Sequence, residues 1–330
     1  MQPLTLTEFE ACRESFDALV EEDPQLDRYC SRTEWILPFH HAFHPGRELC
    51  LYRSSQAFLA LASNHHPGIG RHLEALECMW GFGCPLVGPG AVGLLEEVLA
   101  GWPDHPFGPP VVLTGVPLTG PLARELVERL HRFYELRIVD LVSRYAASLE
   151  GGIDGYLSRR SSAFRRNLRS ARRKVGASGI RFQRVGAVSS RDLPELYRRI
   201  LRIERLSWKA GSANPADQGC MKEFYSEMLP RLARRDGLRV IFAERDGRDV
   251  GYVDGAVVGD HYRGLQFSFD VRLSKLSLGN VLQYQMLTWL CEDGFATYDL
   301  GSQSPYKRRW AEEGPPTATV LLLPRHPSAL

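Results

Sequence analysis

Residues 295–311, FATYDLGSQSPYKRRWA, bring a phenol, three cations and an indole together after a short predicted strand. The phenol of Tyr306 can donate a proton, and the ammonium of Lys307 can hold negative charge on a substrate or an intermediate. The cations would lie at the start of a helix led by Pro305, against the helix dipole, which indicates an anion nearby. A solvated charge run with Trp310 in the core is the simpler interpretation of this stretch alone.

A second candidate site lies where a predicted strand runs into a predicted helix, within residues 269–287. The strand ends at Asp270 or Val271, and Ser277 and Gly279 stand at the start of the helix. Free N–H groups and the dipole at a helix start attract anions, and glycine lets a ligand approach the backbone. A diphosphate would fit there, whereas an ordinary capped helix explains the same residues without a ligand.

Two further segments carry residues suited to binding. Eight cations lie within residues 159–174, and they would suit nucleic acid, an acidic carrier protein or the phosphates of a cofactor. A solvated amphipathic helix is the alternative for this segment. Glu204, Trp208 and Lys209 follow at the end of another predicted helix, where Trp208 would either wall a substrate pocket or pack in the core.

Length and composition bound these interpretations. The chain has 330 residues, of which 44% are hydrophobic, and 41 Lys and Arg stand against 39 Asp and Glu. The composition is that of a globular protein, and the length suits two ordinary domains or one large one. No apolar stretch suits a membrane helix and the N-terminus does not resemble a signal peptide, so we expect a cytoplasmic protein without a membrane span. Seven scattered cysteines without a CxxC pair are expected to be reduced. His40, His41 and His44 have helical spacing but no HExxH pattern, so no metal is expected.

The elements that must position the candidate residues alternate between strands and helices, which predicts an α/β fold with mixed central sheets flanked by helices. Glu150-Gly151-Gly152 precedes a sharp change in composition and marks the predicted boundary between two lobes, 1–150 and 151–330. In both halves the predicted order is several strands, then a helix, then a strand, which is what two copies of one α/β unit would show. We also expect a hairpin at Asp246-Gly247, and a strand followed by a helix across LRIVDLVSRYAASL.

The order of these motifs resembles the GNAT acyltransferase superfamily, and within it the BioF-like/CelD-type branch that is related to the Fem transferases of peptidoglycan synthesis. The resemblance rests on Ser277-Leu278-Gly279 before a helix, on Asp299-Leu300-Gly301 at the end of a strand, and on Tyr306-Lys307 followed by Trp310. It covers most of the chain. Leu278 stands where proline is common, and the longer glycine-rich loop of typical GNAT enzymes is reduced to one glycine, which leaves the identity of the acyl donor open.

The resemblance implies two GNAT-like lobes, of which the second carries the active site and the first lacks a donor site. Catalysis would fall to two carboxylates that accept the proton of an amine, a phenol that protonates the departing thiolate and a cation that holds negative charge: Asp270, Glu204, Tyr306 and Lys307. The donor would bind along a strand and a helix start at Phe269, Val271, Ser277, Leu278, Gly279 and Asn280. The remaining substrate contacts would come from Trp208, Arg166, Gln266, Ser302 and Trp310.

Three functions stay open from the sequence. The first is an N-acyltransferase that moves an acyl group from acetyl-CoA or a longer acyl-CoA, or from an acyl carrier protein, to a small-molecule amine. The second is a Fem-like transferase whose aminoacyl-tRNA would bind residues 159–174, although the near-neutral net charge disfavours a large RNA footprint. The third is a non-catalytic binding protein on the same scaffold, which CoA would not stabilise against heat.

Overall fold

The computed structural model describes residues 1–102, 108–211 and 218–325. The chain divides into two compact units, with boundaries at 143/144 and 314/315. We expected the second lobe to run to the last residue. In the structure, the final strand instead hydrogen-bonds to a strand of the first unit, with Thr317 opposite Pro117 and Leu322 opposite Val111. Among the described helices, none is long and apolar enough to cross a bilayer.

The first unit is a mixed sheet with helices packed against it. Its elements are β1 (Gln2–Leu4), α1 (Leu6–Ala11), α2 (Arg13–Glu22), α3 (Thr33–Phe43), β2 (Glu48–Arg53), β3 (Phe58–His66), β4 (Gly70–Ala75), β5 (Leu86–Val87), α4 (Ala91–Ala100), β6 (Val111–Pro117) and α5 (Pro121–Leu130). Strands β1 to β4 are antiparallel neighbours, β5 pairs with β3, and β6 lies parallel to β4. The helix α4 lies between β5 and β6 in the chain and packs against β3 and β5 with the apolar residues that predicted a helix here.

The second unit repeats this topology with longer helices. The strand β7 (Tyr134–Ser148) crosses the first boundary, and the elements that follow are α6 (Gly152–Ser158), α7 (Ser162–Gly176), β8 (Arg181–Val185), α8 (Leu193–Glu204), α9 (Gly219–Ala233), β9 (Leu238–Arg245), β10 (Arg248–Val258), β11 (His261–Phe269), α10 (Leu278–Glu292) and β12 (Thr297–Ser302). The last strand, β13 (Glu312–Pro324), crosses the second boundary into the first unit. Strands β8 to β11 are antiparallel neighbours, β12 lies parallel to β11, and the end of β7 pairs with β12. The predicted α/β class with mixed sheets flanked by helices is therefore confirmed.

The basic helix α7 forms where the apolar spacing predicts it. Ser161 caps its first turn by accepting a hydrogen bond from the Phe164 amide at 3.1 Å. Leu168, Ala171 and Val175 lie on one face and are buried in the core of the second unit. Since the arginines occupy the other faces, packing fixes the orientation of the cationic surface.

Two local predictions are wrong. The stretch LRIVDLVSRYAASL is strand up to Ser148, because its β-branched residues continue the extended backbone of β7 until Ser148 pairs with Thr297. The residues after Pro305 form only a single 3-10 turn, Lys307–Arg309, and not a helix. Trp310 is buried directly after that turn and β13 begins at Glu312, so no length remains for further turns.

Candidate active site

The centre of the second unit is a fork between the parallel strands β11 and β12. The two strands pair only from His261 to Arg263 on β11. Beyond that point Leu265 bulges out of the pairing between β11 and β10. The carboxylate of Asp299 holds the fork by accepting hydrogen bonds from the Gly301 amide at 2.6 Å and from the Arg263 guanidinium at 3.0 Å. The described pairing therefore leaves a gap between the C-terminal halves of the two strands.

Aromatic side chains line one face of the fork. Phe267 and Phe269 project from β11 toward the start of α10, where a methyl group on Gly279 would lie 3.0 Å from each ring. The ring of Trp208 lies 5.6 Å from that of Phe267 and 5.0 Å from that of Phe269, and the ring of Tyr306 lies 5.7 Å from that of Phe267. Trp208 is 49% exposed and Tyr306 is 38% exposed, so solvent reaches this face.

Polar side chains line the opposite face. The Oε1 atom of Glu204, at the end of α8, accepts hydrogen bonds from the hydroxyls of Tyr252 and Ser268, the latter at 2.7 Å. The ammonium of Lys209 lies 3.2 Å from the same oxygen and also donates to Oε1 of Gln266. Glu204 is buried, so these donors replace the water that a carboxylate would otherwise require.

Asp254 is a second buried carboxylate near this polar face, and the sequence analysis missed it. Its Oδ1 accepts a hydrogen bond from the Gln266 amide at 2.8 Å. Burial raises the pKa of Asp254 to about 7, against the opposing effects of the Gln266 amide and the Lys209 ammonium. The signal in the sequence was a single acidic residue inside an otherwise apolar strand, YVDGAVV.

Asp270 directly follows β11, and its carboxylate is bound by the nearby residue Arg272. Its carboxylate accepts the Arg272 amide at 3.0 Å and also binds the Arg272 guanidinium through both oxygens. Hydrogen bonding to Arg272 lowers the pKa of Asp270 from its ordinary value, despite burial. Of the two predicted carboxylates, Glu204 therefore contacts the ammonium at the fork, whereas Asp270 fixes the turn that precedes α10.

Tyr306 and Lys307 follow the fork on the β12 side, as predicted from their spacing. Burial raises the pKa of Tyr306 to about 12, so its phenol remains a hydrogen-bond donor at neutral pH. Burial, with a further contribution from Arg263, lowers the pKa of Lys307 to about 8, although Asp299 opposes the change. The Lys307 ammonium donates to the Ser302 carbonyl at 2.7 Å, which keeps it close to the end of β12.

The start of α10 borders a basic pocket of about 540 Å³. Ser277 has a left-handed backbone and makes no side-chain cap, while Leu278 and Gly279 are buried and Asn280 is exposed. The pocket is lined by residues from around the starts of α7 and α10 and from the turn before β13: Arg159, Arg160, Ser161, Ala163, Phe164, Asn167, Leu168, Asn280, Arg308, Arg309 and Trp310. Arg160 pairs with Glu312 at 2.6 Å, whereas Arg308 and Arg309 form no ion pair within the described part of the chain.

The structure places seven of the fifteen predicted site residues at the fork and the other eight elsewhere in the second unit. The residues at the fork are Glu204, Trp208, Gln266, Phe269, Ser302, Tyr306 and Lys307. Val271 is 45% exposed, and its amide donates to the Leu206 carbonyl at 3.1 Å. Trp310 is buried against Phe164 and borders the basic pocket, while Arg166 is exposed on α7 and does not line that pocket.

Comparison with known proteins links this arrangement to transferases. A family profile for an acetyltransferase (GNAT) domain matches residues 162–308, which include the fork and six of the eleven residues that line the basic pocket. No curated protein matches the chain in sequence.

Solved structures resemble the chain over nearly its whole length. A conserved protein of unknown function from Bacteroides thetaiotaomicron has a TM-score of 0.66 and 9% identity over 98% of both chains. FemX has a TM-score of 0.64 and 10% identity over 96% of this chain and 97% of its own. L-PGS from Bacillus licheniformis has a TM-score of 0.57 and 12% identity over 96% of this chain and 92% of its own. At these identities the likeness is one of fold, and it confirms the predicted fold class of tandem lobes.

Proposed function

We propose that this protein is a transferase that moves an acyl group from acyl-CoA to a primary amine, because a GNAT acetyltransferase profile matches residues 162–308 and the fold resembles that of FemX. The observation that carries this proposal is the adjacency of two features at α10. The fork opens beside Phe267 and Phe269, which pack against the start of the helix, and the pocket with four arginines begins at Asn280 on the same helix.

The two features suit the two ends of one donor molecule. Arginines that form no ion pair attract phosphates, so the basic pocket would hold the nucleotide end of CoA. The Phe164 and Trp310 rings in the pocket wall would add apolar contact to an adenine base. The pantetheine arm would then enter the gap between β11 and β12, with the thioester carbonyl at the aromatic face.

The chemical step is direct attack of the amine on the thioester. The amine nitrogen forms a bond to the carbonyl carbon, the carbon–sulfur bond breaks, and the proton of the amine passes to Glu204. The Tyr306 phenol donates a hydrogen bond to the departing sulfur. Lys307 supplies the proton to the thiolate, since its pKa of about 8 lies near that of a free thiol, about 8.5.

We propose that the first unit does not bind a donor. There β4 and β6 occupy the positions of β11 and β12, with Leu73 opposite Val111. The chain fills the adjoining space itself: the Thr114 hydroxyl donates to the Gly83 carbonyl at 2.6 Å and lies 3.0 Å from the Glu77 carbonyl. The segment 77–83 therefore lies where the second unit has its gap.

The proposed donor can be tested with a pair of variants. Arg308→Gln combined with Arg309→Gln is expected to raise the Kd for CoA at least fivefold, because two unpaired cations of the pocket are lost. It should leave the KM for acetyl-pantetheine unchanged, because that donor lacks the nucleotide. The control is Arg169→Gln combined with Arg173→Gln, which removes the same charge from exposed positions on α7 outside the pocket.

Calorimetric titration of CoA and the release of free thiol in the presence of an amine panel provide the two readouts. Equal affinities for CoA in both double variants would remove the basic pocket from the proposal. A protein that neither binds CoA nor releases thiol would contradict acyl-CoA transfer and favour a non-catalytic binding protein.

An aminoacyl-tRNA donor is the second candidate, and one observation favours it. The exposed arginines of α7 would suit the phosphates of an RNA ligand. In that case log affinity for tRNA should fall steeply with log salt concentration. The Arg169→Gln and Arg173→Gln variant would then lose affinity as strongly as the variant of the pocket.

A further inference from the structure

The ammonium of Lys209 occupies a cage at the polar face of the fork. It lies 3.2 Å from Oε1 of Glu204, donates a hydrogen bond to Oε1 of Gln266, and stands 5.8 Å from the centre of the Trp208 ring. A carboxylate, an amide oxygen and an aromatic face are the groups that bind an ammonium ion in a protein. The cage thus has the chemistry of a binding site for a primary amine.

The walls of the cage are held by residues other than Lys209. Tyr252 and Ser268 donate hydrogen bonds to Glu204, and the Tyr225 hydroxyl lies 2.7 Å from Nε2 of Gln266. These partners come from α9, β10 and β11, so the two oxygens that face the ammonium would keep their positions without it. Lys209 itself reaches the cage from the 3-10 turn Trp208–Gly211, and its side chain is 26% exposed.

We propose that the cage of Glu204, Gln266 and Trp208 is the acceptor-amine site, and that Lys209 is a tethered competitor that the acceptor must displace. That the bound amine is the acceptor of an acyl group rests on the proposed function, whereas the binding of an amine in the cage does not. The class of ligand is a primary amine, because three contacts already surround the nitrogen. Apolar substituents on the amine would meet Trp208, Phe267 and Phe269.

A structural ion pair is the competing explanation, and it predicts different behaviour. If Lys209 only neutralises buried Glu204, its removal would leave an unpaired buried charge and destabilise the chain without creating a binding site. If Lys209 is a competitor, its removal frees the cage, and an added amine restores what the variant has lost. Binding of a free amine to the variants therefore separates the two explanations.

The experiment measures the binding of n-propylammonium chloride to the full chain by calorimetry, with ionic strength held constant by sodium chloride. Lys209→Met is expected to bind this probe at least tenfold more tightly than the wild-type chain, and Lys209→Gln should behave similarly if the methionine variant folds poorly. Lys209→Arg keeps a cation in the cage and should bind as weakly as the wild type. Lys222→Met, at an exposed position on α9, is the matched control and should not differ from the wild type.

Adding Glu204→Gln to Lys209→Met should abolish the gain, because the cage then lacks its carboxylate. No gain in Lys209→Met and Lys209→Gln, or a gain that survives Glu204→Gln, would overturn the inference. Turnover is a separate readout: if propylammonium binds as expected but no variant releases thiol from acetyl-CoA, the proposed transfer fails while the amine site stands.

Discussion

Replacing Glu204 with glutamine removes the negative charge of the side chain but keeps its size and shape. Its Oε1 atom accepts hydrogen bonds from Tyr252, Ser268 and Lys209, and the residue is buried. Hydrogen bonds to a charged group contribute about 1 kcal/mol more than neutral ones, so three weakened bonds would cost about 3 kcal/mol. The neutral amide needs less solvation than the carboxylate, which offsets part of this loss. We expect the free energy of unfolding to fall by about 1–2 kcal/mol.

The effect on activity should be larger, because it concerns proton transfer in the reaction itself. A positioned general base contributes about 10²- to 10⁴-fold, which corresponds to about 3–5 kcal/mol of barrier. Initial rates of thiol release at saturating acetyl-CoA give kcat and the KM for the amine, and urea unfolding gives the stability of each variant. The Kd for CoA should be unchanged, since Glu204 lies on the polar face of the fork and not at the basic pocket.

Glu195→Gln is the matched control for this prediction. Glu195 lies in the first turn of the same helix, is exposed, and pairs with Arg198 and Arg202. It should leave turnover and the Kd for CoA unchanged. A Glu204→Gln variant that keeps its fold and loses less than tenfold in kcat/KM would refute the assignment of the base, and a loss confined to stability would mean that Glu204 only supports the fork.

Three further predictions follow from contacts at the fork. Tyr306→Phe keeps the ring packing on Phe267 but removes the donor, so thiol release should fall tenfold or more with an unchanged Kd for CoA; unchanged turnover would exclude Tyr306 from the step. Because the pKa of Asp254 is raised to about 7, the native state holds a proton that the unfolded state releases above about pH 4, so stability falls as pH rises from about 4 to 7. In urea unfolding, the Asp254→Asn variant should lose up to about 4 kcal/mol less free energy of unfolding over this pH range than the wild type. If the free energy of unfolding falls equally with pH in the variant and the wild type, the raised pKa of Asp254 is contradicted. A methyl group on Gly255 would lie 2.3 Å from the Tyr262 ring, so Gly255→Ala should cost at least about 2 kcal/mol, whereas Gly176→Ala, with no atom within 4 Å, should cost little.

Most elements of the second unit could be predicted from the sequence, because each helix and strand shows its own apolar periodicity or turn residues. The hairpin at Asp246-Gly247 connects β9 to β10 as expected, and positive φ angles of 53° and 71° explain why these two residues stand there. The helix α10 begins next to Ser277, as its sequence indicated. The stretch assigned to β7 misled us because its apolar residues suit a strand and a helix equally well, and only the pairing of Ser148 with Thr297 decides between them.

The candidate site was less predictable because its chemistry depends on contacts between distant segments. Glu204 and Gln266 are 62 positions apart, and only the packing of α8 on β11 brings both to one ammonium. The sequence could not tell that Arg272 would bind Asp270 and so leave Glu204 as the carboxylate at the fork. Nor could it show that Lys209 reaches back into the site, since a lysine after a helix end is ordinarily solvated.

One topology occurs twice in this chain, and the segment that lies beside each fork decides what the fork can do. In the first unit a methyl group on Gly115 would lie 2.3 Å from the Phe82 carbonyl, so glycine is what lets the segment 77–83 approach β6. In the second unit a methyl group on Gly301, in the equivalent strand β12, would meet nothing closer than 3.9 Å. The same pair of parallel strands is thus packed with its own chain in one unit and accessible beside Trp208 and Tyr306 in the other. On this argument, donor binding requires a vacant fork as well as the fold, which is why we assign the chemistry to the second unit alone.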